Sequence, residues 1–158
     1  MSVASVKAYL APFGLDGRVQ EFSVSSATVP LAAAALGCEE ARIAKTLSFS
    51  LAGKPILIVM AGDARIDNAR YKARFGAKAK MLTAEEALAF TGHAVGGVCP
   101  FALPDGVPVY LDESLRRFDA VYPAAGSASS AVRLTPDELE TASRAAGWVD
   151  VCRLPAAQ

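Results

Sequence analysis

The chain has 158 residues, of which sixteen are basic and sixteen acidic, so it carries no net charge, and 53% of its residues are hydrophobic. That length suits one compact domain over residues 1–158 with a sizeable buried core, and the apolar content excludes a disordered chain. The charge balance argues against a protein that coats DNA or any other polyanion broadly. Charge is uneven along the chain, however. Between Asp63 and Lys80 stand Arg65, Arg70, Lys72, Arg74, Lys78 and Lys80 against only Asp63 and Asp67, which leaves room for a local basic face.

Cys38, Cys99 and Cys152 are odd in number and far apart, a pattern that fits neither a disulfide framework nor a zinc site and implies reducing conditions. The N-terminus lacks a basic stretch followed by an apolar run, and every apolar stretch is broken before the roughly 20 residues that a membrane span needs. The expectation is a soluble cytoplasmic protein without a membrane partner.

Period and punctuation place the elements. Val3, Val6, Tyr9, Leu10 and Phe13 recur at helical spacing up to Gly14, and Val19 to Val24 reads as a strand. Thr28, Pro30 and the alanine-rich Leu31 to Leu36 predict a capped helix ended by Gly37, with another short helix over Glu39 to Ala44. Thr46 to Leu51 and Pro55 to Met60 flank Ala52-Gly53-Lys54 as a hairpin. Asp67 to Phe75 has helical composition and stops at Gly76, and Met81-Leu82 is a short strand candidate. Thr83 with Glu86 is a capping box for a helix reaching Phe90, and Thr135-Pro136-Asp137-Glu138 is a second. Val107 to Leu111, Ala120 to Tyr122, Ala131 to Leu134 and Trp148 to Cys152 read as strands. Several connections are too short for crossover helices, so the expected fold is α/β with a mixed sheet, not a doubly wound nucleotide fold.

Several chemistries are excluded. With His93 the only histidine, no site of several imidazoles can form, and neither G-x-S-x-G nor G-x-x-x-x-G-K-[ST] occurs. No metal or cofactor is expected. Two features remain. Gly92 to Pro104 is a glycine-rich stretch closed by prolines and free of acidic groups, whose bare N–H groups can approach a ligand oxygen or serve an ordinary tight connection. Within it, Cys99 reads better as a small buried thiol than as a nucleophile, and His93 as a packing residue. Lys45, flanked by Ile43, Ala44, Leu47 and Phe49, either snorkels to the surface or supplies a cation or base in an apolar cleft. Set opposite the amides of Gly96 to Cys99, it would bracket a polarised carbonyl, an electrostatic arrangement for ester chemistry.

Thr28-Val29-Pro30, Ala34, Leu36-Gly37, Ile43-Ala44-Lys45-Thr46-Leu47, Gly92 with Gly96-Gly97-Val98 and Pro100, Pro108-Val109-Tyr110 with Asp112-Glu113-Ser114-Leu115, Ala125-Gly126 and Leu134 to Leu139 follow one another along nearly the whole chain. In that order they resemble the YbaK/EbsC family, stand-alone relatives of the prolyl-tRNA synthetase editing domain. The resemblance implies a curved mixed sheet surrounded by helices. It also implies a trans-editing deacylase that hydrolyses the ester of a mischarged tRNA carrying a small amino acid. Lys45 is then the residue activity depends on, and Thr28, Gly96, Gly97, Val98, Cys99, Pro100, Gly126 and Ser127 surround the aminoacyl group. The partners implied are the acceptor end of an aminoacyl-tRNA and, as a further candidate, a synthetase. The chain departs from the pattern at Ala102, where glycine is common, at Cys99, where serine is frequent, and in the Ser127 to Ser130 run, so cysteinyl, alanyl, seryl and threonyl substrates all stay open. So does a noncatalytic module of the same fold that binds a tRNA end or a protein.

Overall fold

The computed structural model describes residues 2–94 and 96–155. The first helix, α1 (Val3–Leu10), buries Val6 and Leu10 and tightens into a 3-10 turn before Gly14, which takes a left-handed conformation. A short strand β1 (Val19–Glu21) and helix α2 (Val29–Leu36) follow, the latter capped by Thr28, whose Oγ1 accepts from Leu31 N at 3.3 Å. The long hairpin β2 (Ile43–Leu51) and β3 (Lys54–Ala61) is antiparallel, and its two turn residues, Ala52 and Gly53, both have positive φ. That is the twist a two-residue hairpin turn requires.

Beyond it lie β4 (Arg65–Ile66), α3 (Asn68–Phe75), α4 (Ala84–Thr91), β5 (Val109–Asp112), β6 (Tyr122–Pro123), β7 (Ser130–Val132), α5 (Pro136–Ser143), β8 (Gly147–Val149) and β9 (Cys152–Arg153). The main sheet runs β6-β2-β3-β5-β8 and is mixed: β2 and β3 are antiparallel, whereas β2 with β6, β3 with β5 and β5 with β8 are parallel. It curls into a half-barrel with helices around it. β1 pairs with β7, and β4 with β9, in two small antiparallel ribbons. The central β3 is buried from Pro55 to Ala61, which explains its unbroken apolar run.

Both capping boxes form, each with the threonine hydroxyl on the glutamate N–H and the glutamate carboxylate on the threonine N–H. Other boundaries move because remote pairing overrides local propensity. The segment Glu39 to Ala44 holds only a 3-10 turn, Glu40–Arg42, because Ile43 and Ala44 already pair with Tyr122 and Pro123. Strand β1 stops at Glu21, and Val24 is exposed. Trp148 to Cys152 is two strands, since the Val151 N–H turns to donate to the buried Asp112 carboxylate at 3.0 Å and its carbonyl accepts from Asp67 N at 2.8 Å. Met81 makes a single bridge to Phe49.

Candidate active site

A cavity of about 350 Å3 opens between α2, the first half of β2, the start of α4 and the 96–98 loop. That volume sits at the small end of small-molecule pockets. β2 contributes every residue from Ile43 to Ser48 to the wall, with the small or hydroxylated Ala44, Thr46 and Ser48 alternating with Ile43, Lys45 and Leu47. Thr46 Oγ1 and Ser26 Oγ are buried with no hydrogen-bond partner among the described residues, and both residues line the cavity. Buried hydroxyls are ordinarily satisfied, so these two are groups that water or a polar ligand entering the cavity can pair with. In the sequence Ser26 carries no signal, and Thr46 stands in the Ile43 to Leu47 motif without being marked as a site residue.

Lys45 stands directly across from Met60 in the hairpin and is half-buried. Its Nζ donates to Ala64 O at 2.6 Å and to Gly62 O at 3.3 Å. An ammonium has three N–H donors, so one remains for a ligand oxygen. Burial lowers its pKa from the ordinary lysine value, with Arg65 adding to the effect and Asp63 opposing it. Lys45 borders the 350 Å3 cavity and also a second hollow walled by the carbonyl turn that holds its Nζ. It lies within β2, since the strand begins at Ile43 and not at Thr46.

Of the other residues singled out in the sequence, Thr28, Gly96 and Val98 reach the cavity wall together with Lys45. Gly97, Cys99, Pro100, Gly126 and Ser127 do not line it. The Gly97 N–H closes a turn on Ala94 O at 3.0 Å, so the amides of Gly96 and Val98 are the ones on residues at the wall. Val95 of this loop lies outside the described residues. Ser127 Oγ is 3.0 Å from Ser130 Oγ and accepts from Ser129 N at 3.2 Å, forming a self-contained turn beneath the wall residue Ser130.

Cys99 is fully buried, and burial pushes its thiol up to about 12, so it is no thiolate near neutrality. His93 is equally buried, with Nε2 at 2.8 Å from Phe101 O, which makes Nε2 the protonated nitrogen; burial lowers its pKa and keeps it neutral. The pair packs the base of the glycine loop. Gly126 has φ +99°, and a Cβ there would stand 2.6 Å from Ser2 O and 2.8 Å from Val6 Cγ2. Gly126→Ala is therefore expected to cost about 1–3 kcal/mol through strain and overpacking against α1. Thermal unfolding checks this, and an unchanged midpoint would contradict the close approach.

Two members of the basic segment are already engaged. Arg70 donates to Asp150 Oδ1 at 3.3 Å and Cys152 O at 2.7 Å, and the Arg74 guanidinium lies over the Phe75 and Tyr110 rings at 5.1 and 5.6 Å. Lys72, Lys78 and Lys80 are exposed. Among the described residues no group of three histidine, cysteine, aspartate or glutamate side chains could hold a metal ion, and no helix is long and apolar enough to cross a membrane.

The half-barrel fold has relatives among known editing domains. A family model for the aminoacyl-tRNA editing domain matches residues 24–142, and the chain belongs to that family. It is 50% identical to an uncharacterized protein, YwhH, of Bacillus subtilis (strain 168), over 97% of this chain and 98% of that one. It is 27% identical to a proline--tRNA ligase of Streptococcus equi subsp. equi (strain 4047), over 85% of this chain but only 22% of the ligase. Among solved structures, it is similar to a candidate trans-editing enzyme for prolyl tRNA synthetase, with TM-score 0.86, 31% identity and 96% of both chains covered.

Proposed function

We propose that this protein is a trans-editing aminoacyl-tRNA deacylase that hydrolyses the ester of a mischarged tRNA carrying alanine, serine, threonine or cysteine. The observation that carries the reading is the placement of Lys45, a half-buried cation with one unspent N–H, at the wall of a small cavity holding two unpartnered hydroxyls. Membership of the editing family and likeness to part of a proline--tRNA ligase support the substrate class, with tRNA-Pro the first candidate and a synthetase a candidate partner.

In this reading the aminoacyl group enters the cavity, with its polar atoms meeting Ser26 Oγ and Thr46 Oγ1. Water attacks the ester carbonyl, and the developing oxyanion is stabilised by the Lys45 ammonium and by amides of the Gly96–Pro100 loop, chiefly those of Gly96 and Val98. Collapse breaks the bond to the ribose oxygen, which leaves with a proton to regenerate the tRNA hydroxyl; the amino acid departs as the free acid. An ester is already activated, so positioning and charge stabilisation suffice, with help from the neighbouring ribose hydroxyl.

Lys45 works here as a cation, and its pKa lies below the ordinary lysine value of about 10.4. The cationic form exists below the folded-state pKa. Deacylation, corrected for spontaneous hydrolysis, should therefore fall as pH rises through that lowered value. A rate that instead rises through the same range would make Lys45 a base. Cavity size sets the second expectation: small aminoacyl esters are cleaved and aromatic ones spared, although one methylene discriminates by only about 1–3 kcal/mol. Equal rates with alanyl- and phenylalanyl-tRNA would remove the cavity from the specificity argument.

A further inference from the structure

The second hollow, about 550 Å3, lies on the other side of Lys45 and is walled by the 62–65 turn and the 153–155 segment. Its charges are one-sided. Arg65 and Arg153 are direct cross-strand partners in the β4–β9 ribbon, and both are exposed. Like charges facing each other across a ladder destabilise it, so nothing in the stability of this ribbon asks for two arginines. Neither has a carboxylate partner among the described residues. Asp63, the only acid on the wall, is held by Arg117, which reaches its two carboxylate oxygens at 2.6 and 3.0 Å, and that contact keeps its pKa below the usual value. Asp63 is therefore already neutralised. Among the described residues, Lys45, Arg65 and Arg153 are left as three uncompensated cations around one open hollow.

Lys45 belongs to both hollows, so a ligand whose carbonyl meets its ammonium from the aminoacyl cavity continues naturally into the second. We infer that the hollow bounded by Arg65 and Arg153 is a phosphodiester site for the single-stranded 3′ end of the RNA substrate, seating the backbone just upstream of the esterified nucleotide. This rests on the deacylase reading for the direction of the chain. The contact then falls on Arg65 of the basic segment together with Arg153 from far along the chain, while Arg70 and Arg74 are engaged with Asp150, Cys152 O and aromatic rings.

The test uses uncharged RNA minihelices, one ending in single-stranded CCA and one lacking it, with binding followed by fluorescence anisotropy over a salt series. The native protein should bind the CCA-ended form more tightly. The double variant Arg65→Gln/Arg153→Gln should lose about tenfold or more in affinity at ~50 mM salt, and its plot of log K against log salt should be shallower by about 1.4, the value for two single-strand phosphate contacts. Arg65→Lys/Arg153→Lys should keep most of the slope. Both positions are exposed, and each single glutamine variant should show about half the change in slope if the double variant folds poorly. An unchanged slope, equal native affinity for both minihelices, or no native binding would overturn the inference. Failure of the native protein to release any amino acid from a charged tRNA, with CCA-dependent binding intact, would sink the deacylase reading and leave the phosphate site standing.

Discussion

Lys45→Ala should abolish ester hydrolysis while leaving the fold intact. Removing one electrostatic contact to a developing oxyanion commonly costs on the order of 10²-fold to 10³-fold in rate, and an ammonium beside a low-polarity cavity is such a contact. The structural loss is smaller. Two hydrogen bonds to Gly62 O and Ala64 O disappear, but truncation opens the space beside both carbonyls to the adjoining hollow, where water replaces the donor, so about 1 kcal/mol of stability is at stake. The expected result is a circular dichroism spectrum like that of the native protein, a melting point within a few degrees, and turnover near the spontaneous rate. A folded variant that retains full activity would remove Lys45 from the chemistry.

Gly97→Val should also remove activity, through displacement of the loop. A Cβ on Gly97 would meet the Ser127 backbone at 3.0 Å from both C and Cα and at 3.2 Å from N. Backbone cannot rotate away as a side chain would, and the Ser127 turn is tied to Ser130 by several hydrogen bonds. Adding the two γ-methyls of valine forces residues 96–98 outward, taking the walls formed by Gly96 and Val98 with them. Overpacking of this kind costs about 1–3 kcal/mol, and misplacing the groups that face the ester by about 1 Å is enough for a 10²-fold fall in kcat. Gly97→Ala should fall between the two. Steady-state deacylation with thermal melting separates the rate effect from the stability effect, and an unaffected valine variant would show that the loop has no part in the site.

Much of the architecture was legible because it is locally encoded. The pairs Thr83 with Glu86 and Thr135 with Glu138 satisfy their own helix N-termini, and Gly14, Gly37, Gly76 and Gly92 end helical turns in left-handed conformations, so each boundary is written within a few residues. The Ala52-Gly53 turn likewise determined the hairpin that carries Lys45. What pattern reading misplaced depends on partners far away in sequence. Ile43 becomes strand because Tyr122 lies beside it, and Val151 leaves the last strand because Asp112 draws its N–H.

The candidate site divides in the same way. Lys45, Thr28, Gly96 and Val98 could be named from residue type and resemblance, and they share one cavity. Ser26 carries no such signal and Thr46 appears only as a member of the Ile43 to Leu47 motif, since an orphaned hydroxyl is visible only once the surrounding donors and acceptors are in place. The motifs group Gly97, Cys99, Pro100, Gly126 and Ser127 with the pocket as well, and these do not line the cavity: a Cβ at Gly97 or Gly126 meets neighbouring backbone, Cys99 is fully buried, and Ser127 is bonded to Ser130. The facing arginines, Arg65 and Arg153, are invisible to any local pattern because the two strands that pair them lie far apart in the sequence.

The most direct measurement is release of amino acid from a panel of charged tRNAs by the native protein, with alanyl, seryl, threonyl and cysteinyl esters on tRNA-Pro set beside phenylalanyl-tRNA and run in parallel with Lys45→Ala. Rapid release of at least one small amino acid is expected, with little release of phenylalanine and loss of the activity in the variant. No release from any member of the panel, with the acceptor end still bound, would contradict the deacylase reading and leave a binding module that uses the same cavity without chemistry.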